Sequence, residues 1–224
     1  STALAEQVCV DVLASAFDSA GQRCSALRIL CVQEDVADRM VNMIRGAMDE
    51  LRVGNPAELS TDIGPVIDAE AQANLQSHID RMKGIAKSSH QIRLPENADN
   101  ATFIAPTLFE LNNLNDLQRE VFGPILHVIR YRADELDQLI DQINAKGYAL
   151  TGGIHSRIDG TVEHIRRRIE AGNLYVNRNI VGAVVGVQPF GGHGLSGTGP
   201  KAGGPFYLQR LSRLTSWRTP PLTR

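Results

Sequence analysis

The chain reads as an α/β protein, with a mostly parallel sheet covered by helices. In several stretches apolar residues recur at three- and four-residue steps, which places a stripe on one helix face. Between those stretches lie short runs rich in β-branched residues. Helices and strands therefore alternate, and parallel neighbours need such crossovers. The length of 224 residues, 42% of them hydrophobic, suffices for one well-buried core.

Taken in order, the first element is an apolar helix-like run that ends in a glycine turn, Phe17-Asp18-Ser19-Ala20-Gly21-Gln22-Arg23-Cys24-Ser25. Cys9 within that run, and Cys31 within the strand-like Arg28–Gln33, read as packing residues. Cys24 reads differently, because Gly21, Gln22 and Arg23 fit an exposed turn rather than a core. A cation beside a thiol favours the thiolate nucleophile, and Arg23 is the candidate cation.

Val36, Met40, Met43, Ile44, Ala47, Met48 and Leu51 form the clearest helical stripe. Lys87–Asn100 is polar, contains Pro95 and reads as a solvated loop. Strands are expected over Phe103–Glu110 and Ile125–Tyr131, then a helix carrying Leu136, Leu139, Ile140 and Ile143. A strand over Ala149–His155 precedes a helix carrying Val162, Ile165 and Ile169, which should stop at a left-handed Gly172. Asn173–Asn177 is the next strand, Val181–Pro205 a glycine-dense loop, and Leu211–Trp217 alternates weakly enough to be a last strand.

A net charge of −2 argues against broad electrostatic attachment to nucleic acid or to an anionic membrane. Three cysteines without regular spacing suit reduced thiols in an intracellular setting. No apolar run approaches the ~18 residues of a membrane helix, and the start lacks a basic leader followed by an apolar core. The absence of an initiator Met fits processing or a fragment.

Gly192-His193-Gly194-Leu195-Ser196-Gly197 has the spacing of a dinucleotide fingerprint. Its context argues against that use: Pro189 precedes it, and Thr198 to Pro205 is unsuited to the helix whose amides would meet a pyrophosphate. Of the six histidines, none has metal-ligand spacing. His78 and His164 fall on helical stretches where solvent is the default, while His155 and His193 are the two that a Cys–His enzyme would use.

The nonapeptide around Cys24 resembles the active-site cysteine signature of the aldehyde dehydrogenases. Two further stretches are similar to that family in the same order: Glu120-Val121-Phe122-Gly123-Pro124, and Gln188-Pro189-Phe190-Gly191-Gly192. More narrowly, the second of these with Ser196 to Pro205, and Arg178-Asn179, resembles the glutamate-semialdehyde (pyrroline-5-carboxylate) dehydrogenases. In bacteria these commonly form the C-terminal half of bifunctional proline utilization A proteins, behind a flavin-dependent proline dehydrogenase. The resemblance implies NAD as cofactor, with FAD only in the other half of such a protein.

It also implies roles for particular residues. Cys24 would attack the aldehyde, pass through a hemithioacetal and keep the acyl group as a thioester after hydride transfer to NAD. Ser25 and the amides of Gly182 and Ala183 would hold the substrate carboxylate, since convergent donors suit an anion and glycine lets the backbone approach closely. Phe190 would pack the aliphatic part of the substrate, with an anchoring role in its own loop as the alternative. Glu120 would bind the nicotinamide-side ribose hydroxyls and Phe122 would border the nicotinamide ring.

Residues 1–208 would then be the catalytic domain, without its first strand or the NAD-binding domain of the same polypeptide, and 209–224 a strand or tail leading to an oligomerisation flap. The upstream base and oxyanion-hole asparagine of the family have no counterpart here, so the isolated chain is expected to be inactive. The implied partners are a small aldehyde, the NAD-binding domain and a second copy of the chain. DNA or membrane contact would come through other regions of the whole protein, whose location would be cytoplasmic or peripheral to the inner membrane. A different class of reading keeps the chain as a non-catalytic scaffold or dimerisation module with an incidental cysteine.

Overall fold

The computed structural model describes residues 1–213, except 97, 99, 100 and 185. Its centre is a four-stranded sheet in the order β1-β4-β3-β2, formed by β1 (Ile29–Gln33), β4 (Ile125–Tyr131), β3 (Thr107–Leu111) and β2 (Ser88–Gln91). The β1–β4 and β3–β4 pairs are parallel, in the registers Ile29↔His127 and Thr107↔Ile125. Every residue of β3 and the first five of β4 are buried. That is the mark of strands covered on both faces.

The covering helices follow from their apolar spacing. α1 (Ala5–Phe17) buries Val8, Val12, Ala16 and Phe17, and α2 (Glu34–Asp49) buries Ala37, Met40, Val41, Ile44 and Met48. α3 (Ala69–Lys83) is capped by Asp68, whose side chain accepts the Ala71 amide at 2.8 Å. Its buried face is Leu75, His78, Ile79 and Met82. His78, expected in solvent, is therefore a core residue. It takes one of the helix positions that normally carries an aliphatic side chain.

Beyond α4 (Leu136–Ala145) the chain makes two small sheets. β6 (Thr151–Ile154) runs parallel to β7 (Asn173–Val176) across the crossover helix α5 (Asp159–Arg168), and β5 (Tyr148–Ala149) pairs antiparallel with β8 (His193–Gly194). The single strand expected over Ala149–His155 is thus divided at Leu150 between two sheets. α1 bridges the large and small sheets: Gln7 Nε2 donates to Asn177 O at 2.6 Å, and Ile180 N donates to Ser15 Oγ.

Four other expectations change. Polar Ser88–Gln91, placed in a loop, is an edge strand pairing antiparallel with β3, because an edge needs backbone partners more than apolar side chains. β3 begins at Thr107 rather than Phe103, following Pro106, which has no N–H to give a ladder. α5 ends at Arg168, and Gly172 is not left-handed. A Cβ on Gly172 would lie 1.9 Å from Gly191 O, so close chain crossing requires this glycine. Finally, Leu211 lies in α6 (Tyr207–Arg213) rather than in a strand, while the rest of the expected last strand, 214–217, and the tail to 224 lie outside the described residues.

Candidate active site

After α1 the backbone turns left-handed: Ser19, Ala20 and Gly21 have φ of 57°, 53° and 64°. Non-glycine residues in this region cost about 1–3 kcal/mol each, so the surroundings must hold them there. They do so from several sides. Gln22 N donates to Ser19 O at 3.0 Å, and Arg23 Nε donates to Ser19 Oγ at 2.9 Å. Ala20 is buried, and a Cβ on Gly21 would lie 2.1 Å from Gly123 O. Cys24 leaves this turn exposed.

A second cation, Arg28, holds the turn from the side of Gly123. Arg23 is committed to the Ser19 hydroxyl and to the charge of Asp18. Arg28 Nη1 donates to Gly21 O at 2.6 Å and to Gly123 O at 3.4 Å, and Nη2 donates to Arg23 O at 3.0 Å. Its Nε lies 3.6 Å from Glu120 Oε1, and its guanidinium stacks over the Phe122 ring at 4.5 Å. Burial lowers its affinity for its proton, while Glu120 and then Cys24 favour its charged form. Arg28 is the first residue of an expected strand. Its one sequence cue is a cation four positions after Cys24 and before an apolar run.

Cys24 and Glu120 both line a cleft of about 620 Å³. That cleft also runs between the large and small sheets, along residues 27–33 and 150–155. Phe122 is exposed beside Arg28. Ser25 is buried, and its carbonyl accepts from Thr151 Oγ1 at 3.5 Å. Gly182 (φ 77°), Ala183 and Phe190 do not line the cleft. Gly182 is exposed with open space where a Cβ would stand, and Phe190 exchanges backbone hydrogen bonds with Ala202 at 2.9 and 3.0 Å. The structure thus joins Cys24, Glu120 and Phe122 through Arg28, and leaves the glycine loop beside them.

The two histidines that a Cys–His enzyme would use are engaged elsewhere. His155 faces Asp11 at 3.5 Å and His193 faces Glu170 at 3.8 Å. His193-Gly194 is β8, not the start of a phosphate-binding helix, which removes the dinucleotide fingerprint reading. Among the described residues no group of three or more His, Cys, Asp or Glu could hold a metal ion.

The family model described as "Aldehyde dehydrogenase family" matches residues 2–216. The chain belongs to the aldehyde dehydrogenase family. Among its aldehyde dehydrogenase relatives, the bifunctional protein PutA of Klebsiella aerogenes is 61% identical over 217 residues, 94% of this chain but 16% of that protein. The 1-pyrroline-5-carboxylate dehydrogenase of Geobacillus sp. is 39% identical over 88% of this chain and 38% of its own length. A crystal structure of Bradyrhizobium japonicum proline utilization A superposes with a TM-score of 0.89 at 58% identity, over 93% of this chain and 21% of that one. The chain therefore spans about a fifth or less of these bifunctional relatives.

Proposed function

We propose that this chain is the cysteine-bearing part of an NAD-dependent dehydrogenase that oxidises L-glutamate γ-semialdehyde, formed from pyrroline-5-carboxylate, to glutamate. The observation that carries this reading is the bracing of the Cys24 turn and Glu120 by one half-buried guanidinium. A nucleophile and a cofactor residue must keep one geometry, and Arg28 ties the loop of one to the turn of the other.

Cys24 attacks the aldehyde carbon and holds the acyl group as a thioester until water releases it. The amides of Gly182 and Ala183 and the Ser25 hydroxyl receive the substrate carboxylate, and Phe190 meets its aliphatic stem. Buried Ser25 must turn its hydroxyl toward the substrate. The residues present fit the nicotinamide end of NAD: the Glu120 side chain is 33% exposed with carboxylate capacity beyond Arg28, and Phe122 is exposed beside it. NAD, when bound, supplies the hydride acceptor. The solved 1-pyrroline-5-carboxylate dehydrogenase from Thermus, 37% identical with a TM-score of 0.83 over 93% of this chain and 40% of its own, is described with bound NAD.

Residues 1–208 form the catalytic domain in this reading, and 209–224 a tail toward an oligomerisation flap. The cleft between the sheets is the seat for the remaining polypeptide, including the NAD-binding domain. β1 stands at the end of its sheet and β6 at the end of its own, and consecutive residues of both line the cleft, so their backbone edges face it. FAD, a proline dehydrogenase and any contact with DNA or the inner membrane belong to the rest of a bifunctional cytoplasmic protein that assembles as a homo-oligomer. No helix among the described residues is long and apolar enough to cross a membrane.

The test is NADH formation from glutamate semialdehyde by the longer polypeptide that contains this chain. Turnover that disappears in Cys24→Ala, with NAD affinity kept, supports the reading, and retained turnover overturns it. The chain by itself should form no NADH.

A further inference from the structure

Beneath the site lies a buried polar chain with only one consistent arrangement of protons. His127 Nδ1 lies 3.0 Å from the Arg28 carbonyl oxygen, an acceptor, so Nδ1 carries the hydrogen. The neutral ring then accepts at Nε2, where His78 Nε2 approaches to 3.0 Å and must donate. His78 Nδ1 is left as an acceptor, and Arg81 Nη2 stands 3.4 Å from it. The His127 amide also donates to the Arg28 carbonyl at 3.0 Å, so one residue occupies both lone pairs of that oxygen.

We propose that Arg28 is a positioning residue for the reaction, held from below by His127 and His78, and that its fork keeps Cys24 and Glu120 in register. The fork fixes three carbonyls, Gly21, Arg23 and Gly123, which flank the nucleophile on one side and follow Glu120 on the other. The histidine chain fixes the peptide from which the fork extends. Burial drives both rings to neutrality, His78 to about 4 and His127 to about 3, with Arg81 and Arg119 adding to the effect on His78. A proton on His127 Nε2 would point at the His78 donor and break the order. A planar, five-donor group is needed here, because an ammonium carries the charge without the fixed spread of donors.

The kinetic part of this inference rests on the dehydrogenase reading, and the thiol part does not. In the longer polypeptide, Arg28→Met should slow Cys24 alkylation at pH 7.5 by about tenfold, through loss of a cation whose charge acts on Cys24, and raise the KM for NAD by about tenfold. Arg28→Lys should restore alkylation to within about twofold while leaving the KM for NAD raised. His127→Leu should raise the same KM, and His127→Asn, whose side-chain N–H can reach the Arg28 carbonyl, should bring it back. Unchanged alkylation and unchanged KM in both Arg28 variants would overturn the inference. If Arg28→Met does not fold, Arg28→Lys decides by its KM for NAD. If the unsubstituted polypeptide oxidises no aldehyde, the functional reading fails and the alkylation rates alone decide the role of Arg28.

Discussion

The hydroxyl of Ser15 accepts the amide hydrogen of Ile180 at 3.1 Å, joining the helix that leads to Cys24 to the loop after β7 that leads to Gly182. The Ser15 carbonyl also accepts from Leu27 N at 2.8 Å. Both side chains are buried, so Ser15→Ala strands a buried N–H and should cost about 1–3 kcal/mol. Thermal unfolding should show a lower midpoint. In the longer polypeptide the KM for the aldehyde should rise while that for NAD stays, because the displaced loop carries Gly182 and Ala183 rather than Glu120. Ser15→Thr keeps the oxygen and should largely retain both properties.

Cysteine labelling should discriminate sharply. Burial pushes the Cys9 thiol up and raises Cys31 to about 12, whereas Cys24 is exposed on its turn. Brief treatment with iodoacetamide near pH 8, followed by peptide mapping, should modify Cys24 and spare the other two by at least about tenfold. Equal labelling of the three would argue for the scaffold reading.

Gly21→Ala should be among the most damaging small substitutions in the chain. The added methyl meets Gly123 O at 2.1 Å and Ala16 O at 2.9 Å, and its backbone is left-handed. Nothing flexible stands in the way, so the Cys24 turn must separate from the Glu120–Gly123 turn. A loss above about 2 kcal/mol in denaturant unfolding is expected, since strain at such a backbone angle adds to the clash. Gly46→Ala, with nothing within 4 Å of its added methyl on α2, is the matched control and should be neutral or stabilising.

Acid should weaken the fold through the histidine pair before the carboxylates titrate. His78 and His127 hold protons less tightly when folded than the unfolded value of 6.5, at about 4 and about 3. Between those values and 6.5 the unfolded chain binds more protons, so stability is full above 6.5 and falls as pH drops. The slope approaches about 1.4 kcal/mol per pH unit for each histidine. Urea midpoints between pH 6.5 and 4.8 should decline for the native pair and flatten when His78→Gln and His127→Asn are combined. An unchanged slope would show that the rings are not neutral in the folded protein.

Where periodicity is uncontaminated, the sequence suffices: β4 has the predicted bounds Ile125–Tyr131, and α2 follows the stripe from Val36 to Met48. It fails where a polar residue takes an apolar role. The buried face of α3 is misjudged because His78, on its helical stretch, completes that face instead of meeting solvent, and β2 hides because an edge strand can be Ser-Ser-His-Gln. The division of Ala149–His155 is a tertiary event with no local cue, since β5 and β6 choose different partners.

The same contrast holds at the site. Cys24 and Glu120 stand out by their surrounding residues, and the structure brings them to one cleft. Arg28 does not stand out, because its partners are carbonyls at Gly21, Arg23 and Gly123, and no pattern of residue types announces a backbone acceptor. Only folding sets those carbonyls around one guanidinium.

The exposed rims of β1 and β6 bear on solubility. Each presents unpaired backbone groups along a short apolar or glycine-bearing strand, Ile-Leu-Cys-Val-Gln and Thr-Gly-Gly-Ile, without a lysine or proline to discourage pairing. Such rims are templates for another chain. By itself, this chain should therefore self-associate with rising concentration, edge upon edge, at temperatures below its unfolding.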